Sequence, residues 1–305
     1  MIARMYRIKK QHRSEFVPIR TQTYHVQVWG EPAPDKVPLV LVHGWMDVAA
    51  SYQFVVDAFS QDHCIIAPDW RGYGQSSCVG TVDNYWFPDY LADLDFLLDH
   101  YAPDTPVNLV GHSMGGNVAM MYGGVRPERV RRLVNLEGFG LPASKPHHAV
   151  KRYAQWMDEL KGLHRGERDL KTYDSAEQVA RRLMKNNRRL GEDKALWLAQ
   201  HWARETPDGR WAIRAEAAHK VSNAHIYRVE ESLALYAALR MPVLAVEASD
   251  DSLGGWWRGQ YTLAEYHERL KAVPNVEVAV VQDAGHMLHH DQPEVLAGLI
   301  ERFIA

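Results

Sequence analysis

The sequence predicts an α/β fold in which one mostly parallel, twisted sheet of about eight strands carries helices on both faces. Short apolar runs alternate along the chain with segments that have helical spacing. Continuous apolar runs such as 38–42 are typical of strands buried on both faces of a parallel sheet. This strand pattern stops between residues 139 and 235 and then returns, which predicts a helical insertion between two strands of the sheet.

The apolar runs place the strands, and helical spacing with capping signals places the helices. The predicted strands cover 15–19, 24–29, 38–42, 63–68, 107–110, 130–136, 241–246 and 276–281. The predicted helices cover 51–59, 85–101, the residues after Ser113, 261–272 and a final segment that starts at Pro293. Proline suits a first helical turn, because an N–H group at that position would have no acceptor within the helix.

The interruption divides the chain into two regions. Residues 1–138 and 236–305 form the predicted α/β core, and residues 139–235 form a predicted helical cap, inserted after the sixth major strand. A segment inserted there would lie over the carboxyl ends of the strands, where open α/β sheets bind their ligands. We therefore expect the cap to act as a lid.

Composition excludes several classes of function. Hydrophobic residues make up 46% and charged residues 24% of the chain, and the net charge of −3 gives no reason to expect binding to nucleic acid or membranes. Two cysteines predict neither a disulfide framework nor a metal site, and no cofactor is expected. The segment 1–20 is basic and lacks an apolar signal core, which predicts a cytoplasmic protein. The sequence leaves open whether the protein forms a homo-oligomer.

A candidate nucleophile follows the apolar run 107–110. The residues Gly111, Ser113 and Gly115 fit the pattern G-x-S-x-G, and a helix-compatible run comes next. In a strand–turn–helix of this kind the serine occupies a strained turn, with its Oγ above the sheet. The glycines allow the strand and the helix to approach closely, and the positive end of the helix dipole faces the serine.

Three further motifs join this one, and together they point to a family. They are His43-Gly44-Trp45, Asp69-x-Arg71-Gly72-x-Gly74-x-Ser76, and Gly285-His286 followed by Asp291-Gln292-Pro293-Glu294. With the serine turn they occur in the order typical of the α/β-hydrolase superfamily, which the chain resembles over nearly its whole length outside the cap. The cap and the glycine-rich residues 137–142 are most similar to capped serine hydrolases of the esterase type.

The resemblance implies a Ser–His–acid triad. Ser113 needs a general base, and His286 is the predicted one. It follows the last strand, and we expect the loop there to lie beside the turn that carries Ser113, the nucleophile elbow. Three carboxylates compete to orient His286. Asp251 is favoured by its offset from the strand 241–246, Glu137 ends the preceding strand, as the acid does in relatives such as haloalkane dehalogenases, and Asp250 is one residue from Asp251.

The same resemblance implies an oxyanion hole made by the backbone N–H groups of Trp45 and Met114. The predicted contacts to the substrate are the side chains of Trp45, His112 and Phe139.

The predicted function is that of a cofactor-independent serine esterase acting on a small-molecule ester or related acyl substrate through an acyl-enzyme. The same triad also suits hydrolysis of a C–C bond, lactone, amide or thioester, or acyl transfer. A non-catalytic protein that binds a small ligand on this fold is the alternative from a different class.

Overall fold

The computed structural model describes residues 5–33, 36–78 and 80–305. The first four residues of the basic N-terminal segment, 1–20, and of the predicted core region lie outside the described part of the chain.

One large sheet forms the centre of the molecule and confirms the predicted fold class. Its strands are β1 (Arg13–Ile19), β2 (Gln22–Trp29), β3 (Leu39–Val42), β4 (Ile65–Pro68), β5 (Ser77–Cys78), β6 (Val107–His112), β7 (Val130–Leu136), β11 (Val243–Ala248) and β12 (Val276–Val281). They lie in the order β1-β2-β4-β3-β6-β7-β11-β12, and β5 pairs with β2. β2 runs antiparallel to β1 and β4, while β4, β3, β6, β7, β11 and β12 are parallel.

Helices cover both faces of this sheet. The core helices are α1 (Gln53–Ala58), α2 (Phe87–Tyr101), α3 (Met114–Val125), α7 (Val229–Ala237), α8 (Ser252–Trp257), α9 (Leu263–Leu270), α10 (Leu288–Asp291) and α11 (Pro293–Ile304). Successive strand residues point to opposite faces. Val40 of β3 therefore packs with side chains of α2 and α3, whereas its neighbour Leu41 packs with those of α1 and α11.

The segment between β7 and α7 contains most of the predicted cap. Its helices are α4 (His148–His164), α5 (Ala176–Asn186) and α6 (Glu192–Trp202), and its strands are β8 (Thr172–Tyr173), β9 (Ala203–Glu205) and β10 (Trp211–Ile213). The strands form a small antiparallel sheet in the order β8-β10-β9. The sequence did not predict these strands, because two or three residues are too few to show an alternating pattern.

The topology brings the carboxyl ends of β3, β6, β7, β11 and β12 to one edge of the sheet, since these strands are parallel neighbours. The loops after β3, β6 and β12 carry three of the motifs singled out in the sequence, and the motif at residues 69–76 follows β4. Among the described residues, no helix has the length and apolar character that crossing a bilayer requires.

Candidate active site

Ser113 occupies the turn between β6 and α3. Its backbone has φ 52° and ψ −115°, a conformation that costs a residue with a Cβ about 1–3 kcal/mol. The Ser113 N–H donates to Leu136 O over 2.8 Å, and Ser113 O accepts from Asn117 N over 3.0 Å. These bonds hold the strained turn against β7 and the first turn of α3, as a nucleophile elbow requires.

The elbow depends on glycine at both flanks. A Cβ on Gly111 would lie 2.2 Å from Gly115 O, and a Cβ on Gly115 would lie 2.3 Å from Val42 O. Each distance is shorter than any real Cβ contact, so β6, α3 and β3 could not approach this closely with a larger residue. The glycine spacing of the motif therefore has a steric cause in the structure.

The loop after β3 lies beside the elbow. A Cβ on Gly44 would be 3.1 Å from Ser113 Cβ. His43 fixes this loop, because its Nδ1 bonds to Gly44 O over 2.8 Å and its Nε2 accepts from Trp70 N over 2.9 Å. Burial lowers the pKa of His43, in keeping with a neutral ring that donates from Nδ1. His43 thus holds the loop in place.

The loop after β12 brings His286 to a carboxylate at the end of β7. His286 Nδ1 lies 3.3 Å from Glu137 Oε2, and the Glu137 side chain is only 1% exposed. The other carboxylate oxygen, Glu137 Oε1, accepts from Ala248 N over 2.7 Å. Glu137 itself has a φ of 55°. Two strands therefore fix the position of this carboxylate before any substrate binds.

Ser113 and His286 belong to the same edge of the sheet. His112, the residue before Ser113, donates from Nε2 to His286 O over 2.7 Å. Glu137 directly follows Leu136, whose carbonyl accepts the Ser113 N–H. Ser113, His286 and Glu137 thus follow β6, β12 and β7 respectively. Hydrogen bonds made by His112 and Leu136 link the three loops that carry them.

Asp251, the acid that the sequence favoured, forms a hydrogen bond away from His286. It is exposed and caps the six-residue helix α8, accepting from Gly254 N over 2.8 Å. The chain turns into α8 so soon after β11 that this carboxylate satisfies the helix terminus. In the structure the carboxylate beside His286 is thus Glu137, and no contact between Asp251 and His286 occurs among the described residues.

Asp250 also points to another partner. Its side chain is 52% exposed and forms two hydrogen bonds with the Arg189 guanidinium, at 2.7 and 3.1 Å. The bonds to Arg189 lower the pKa of the Asp250 carboxyl. The pairing of Asp250 with His286, the third alternative, is likewise absent from the described contacts.

The two predicted oxyanion donors flank Ser113. Met114 is the first residue of α3, so its N–H has no acceptor within the helix. Trp45 follows Gly44 in the loop that touches the elbow. The Trp45 side chain is 53% exposed, and its Nε1 donates to His219 O over 3.1 Å. An exposed indole beside the elbow is available to line a pocket.

The other two predicted substrate contacts are buried in the protein. Phe139 packs edge-on against Tyr266, with ring centroids 4.9 Å apart, and belongs to the hydrophobic core. His112 is buried below the elbow, and burial is the main cause that lowers its pKa well below the usual value. Neither side chain has an exposed surface in the structure, so their contact with a substrate stays a prediction from the sequence.

Trp256 is a site residue that the sequence did not assign. It belongs to α8, is half exposed, and lies edge-on against His286 with ring centroids 4.3 Å apart. The Trp256-Trp257 pair is visible in the sequence, but its contact with the loop after β12 appears only in the structure.

The inserted segment is attached to the loops around the site. Gly74 N donates to Arg214 O over 2.8 Å, and Glu216 N donates to Gly72 O over 3.2 Å. The His219 ring stacks on Tyr73 with centroids 3.7 Å apart. This end of the inserted segment therefore packs against the glycine-rich loop after β4.

Comparisons with known proteins agree with this geometry. Residues 37–293 match the family model described as alpha/beta hydrolase fold. A serine hydrolase-like protein of Danio rerio is 27% identical over 300 residues, covering 95% of this chain and 88% of that protein.

Two solved structures share the fold. The thioesterase domain from the curacin biosynthetic pathway superposes with a TM-score of 0.81 at 22% identity, covering 95% of this chain and 99% of that one. An esterase of Mycobacterium tuberculosis gives 0.69 at 20% identity, covering 96% and 91%.

Proposed function

The chain belongs to the alpha/beta hydrolase fold family, and from that premise we propose that it is a serine carboxylesterase in which Ser113, His286 and Glu137 form the triad. The fold and the serine hydrolase-like relative support hydrolase chemistry. The observation that carries the proposal is the 3.3 Å separation of His286 Nδ1 from the buried Glu137 Oε2, beside a serine with φ 52°.

Glu137 orients the base. A carboxylate that accepts from Nδ1–H leaves the lone pair on Nε2, the nitrogen that removes the serine proton. Since Glu137 is buried, its charge acts on His286 with little screening by water, and it stabilises the imidazolium formed during the reaction. An exposed carboxylate such as Asp251 would do this less effectively.

Acylation then proceeds in two steps. Ser113 Oγ attacks the ester carbonyl as His286 Nε2 takes its proton, and the carbonyl oxygen becomes an oxyanion. The tetrahedral intermediate collapses with cleavage of the C–O bond, and His286 returns the proton to the leaving alcohol. The acyl group remains on Ser113.

Deacylation repeats the sequence with water. His286 deprotonates a water molecule, which attacks the acyl-enzyme, and the proton returns to Ser113 as the carboxylic acid leaves. The N–H groups of Met114 and Trp45 hold the oxyanion in both halves, and each such donor contributes about 3 kcal/mol to the transition state.

The inserted residues 139–235 act in this proposal as a lid over the substrate. Trp45 and Trp256 are half exposed, and we expect them to line the mouth of the substrate pocket, which would suit a small substrate with an apolar portion. The cytoplasmic location stays a prediction from the sequence.

Covalent labelling tests the function directly. Purified protein is treated with a fluorophosphonate probe, and the modified peptide is mapped by mass spectrometry. We expect one label, on Ser113, and we expect hydrolysis of p-nitrophenyl esters that the label abolishes. A panel of graded acyl chains, with a thioester, a lactone and an amide, ranks the bond types.

The alternatives have distinct outcomes in the same experiment. Ester turnover that persists in Ser113→Ala would contradict the proposal. Tight binding of a small ligand without any label on Ser113 would favour the non-catalytic binding protein. Labelling with turnover of only the amide or thioester would keep the triad and change the substrate class.

A further inference from the structure

Three buried ionisable side chains meet behind the nucleophile elbow. They are Asp47, from the loop after β3, His112, at the end of β6, and His289, in α10. Their exposed fractions are 3%, 2% and 0% respectively. One ligand-type atom from each residue lies within 4.8 Å of the other two. None of the roles proposed above accounts for this arrangement.

Asp47 divides its two oxygens between different tasks. Oδ1 accepts from Val48 N over 2.9 Å, from Trp202 Nε1 over 2.9 Å and from the Ser51 hydroxyl. Oδ2 has no hydrogen-bond partner among the described residues and lies 3.7 Å from His289 Nε2. One oxygen is thus fixed by three donors, while the other is directed into the cluster.

His112 presents a lone pair to the same region. Its Nε2 donates to His286 O over 2.7 Å, so a neutral ring carries no proton on Nδ1. Nδ1 is buried, and no hydrogen bond to it occurs within the described ranges. The ring lies against that of His289, with centroids 4.3 Å apart.

His289 is less satisfied still. It is fully buried, and neither ring nitrogen has a hydrogen-bond partner in the described part of the chain. A buried polar atom without a partner costs about 1–3 kcal/mol. Asp47, His112 and His289 each carry at least one such atom, and one ligand-type atom from each residue lies within 4.8 Å of the other two. This arrangement indicates that something beyond these side chains completes the cluster.

We propose that Asp47, His112 and His289 bind a divalent transition-metal ion of the Zn²⁺ class. Two imidazole nitrogens and one carboxylate oxygen are the donor set such ions take in proteins, with a water molecule in the remaining position. Ligand atoms around a tetrahedral zinc lie roughly 3.3–3.5 Å apart, since each bond is about 2.0–2.2 Å long. The 3.7 Å between Asp47 Oδ2 and His289 Nε2 is close to that separation.

The surroundings suit such an ion. The three donors on Asp47 Oδ1 orient the carboxylate, and the His112–His286 bond orients the first imidazole; outer contacts of this kind position metal ligands. The ion would not touch a substrate. It would hold His112, which is joined to Ser113 by the chain and to His286 by a hydrogen bond.

The competing occupant is an ordered water molecule, which also satisfies buried polar atoms. The two occupants can be distinguished, because only a metal site binds added Zn²⁺ from solution with a fixed stoichiometry. The metal proposal does not depend on the ester reaction, so it is tested in Ser113→Ala protein, where failure of the proposed function has no influence.

The experiment uses tag-free, full-length Ser113→Ala protein stripped of metal with a chelator. Zn²⁺ is titrated by calorimetry against a competing chelator, and Co²⁺ is added for absorption spectroscopy. We expect one Zn²⁺ per chain, a rise in Tm on addition of zinc, and Co²⁺ bands typical of four or five nitrogen and oxygen ligands without a thiolate band.

Variants assign the binding to this cluster. Asp47→Asn and His289→Gln should each weaken zinc at least about hundredfold. His63→Gln should bind like the parent, because His63 is part of a separate histidine–carboxylate pair with Glu301, 3.1 Å apart. Circular dichroism checks that each variant is folded.

Three results would overturn the proposal. They are the absence of stoichiometric zinc binding, unchanged affinity in folded Asp47→Asn and His289→Gln, and loss of binding in His63→Gln instead. If either ligand variant does not fold, the Co²⁺ spectrum of the parent decides: bands of a nitrogen–oxygen site support the cluster, and their absence contradicts it. Absence of zinc binding would leave water as the occupant.

Discussion

The ends of two neighbouring parallel strands, β7 and β11, each carry a carboxylate, and only one of them reaches His286. Glu137 directly follows β7, is buried, and is held by Ala248 N. Asp251 follows β11 after a short turn, is exposed, and caps α8. Two features decide which carboxylate reaches the imidazole. One is the number of residues between the strand end and the carboxylate, and the other is the backbone N–H group from which the carboxylate accepts a hydrogen bond.

Replacing the proposed nucleophile gives the lowest activity, against which the activities of the two carboxylate variants are compared. Ser113→Ala should lower kcat for p-nitrophenyl esters by about 10⁵–10⁶-fold, since no other group can accept the acyl chain. Steady-state kinetics with enzyme at high concentration measures this. A loss below tenfold would remove Ser113 from the mechanism.

Glu137→Gln should have the next largest effect. The amide keeps an acceptor for Ala248 N but removes the charge beside His286, and the loss in kcat should be about 10³–10⁴-fold with a small change in KM. The Tm of the variant serves as the control for folding. Activity within threefold of wild type would exclude Glu137 as the triad acid.

Trp256→Ala should have an intermediate effect. The indole edge contacts the His286 ring at 4.3 Å, and an aromatic contact contributes about 0.5–1.5 kcal/mol. We therefore expect kcat/KM to fall about two- to tenfold in the ester assay. A matched Trp211→Ala variant, changed in the small sheet β8-β10-β9, should leave the kinetics closer to wild type. Equal losses would contradict a specific contact with His286.

Asp251→Asn should change little. Asparagine caps helices as well as aspartate does, so Tm should stay within about 2 °C and kcat/KM within about twofold. The measurement is the same ester assay, run beside Glu137→Gln. If the Asp251 variant lost more activity than the Glu137 variant, the comparison between the two strand ends would be reversed.

Asp250→Asn should have the smallest effect on catalysis. It removes an exposed ion pair with Arg189, and exposed pairs are screened by solvent. Because the Arg189 bonds lower the pKa of Asp250, whatever stability the pair gives is present above the usual carboxyl pKa and is lost as the pH falls through the lowered value. Tm measured against pH and salt, with Arg189→Gln as the partner variant, checks this.

The sequence predicted the fold class correctly, and it located the strained turn at Ser113, for physical reasons. Long apolar runs such as 38–42 admit few alternatives to buried strands, and the steric demand of the elbow appears directly as Gly111 and Gly115. The short strands β8, β9 and β10 were not predicted, because two or three residues carry no period.

Position in the sequence narrowed the candidate acid to three residues but did not show which of them lies beside His286. Asp251 matched a family offset, whereas its side-chain contact depends on where α8 begins, which no local pattern fixes. A usable signal for Glu137 existed: it directly ends the strand beside the one that carries the elbow. The cluster of Asp47, His112 and His289 was beyond sequence reasoning, because its members are far apart in the chain.

The most direct test of the account is the proton on His286 Nδ1, observed by NMR in uniformly ¹⁵N-labelled protein. A hydrogen bond to the buried Glu137 carboxylate should give a strongly downfield resonance. We predict that this resonance is present in wild type and in Asp251→Asn, and that it is absent or moved far upfield in Glu137→Gln. A resonance that survives in Glu137→Gln and disappears in Asp251→Asn would contradict the account.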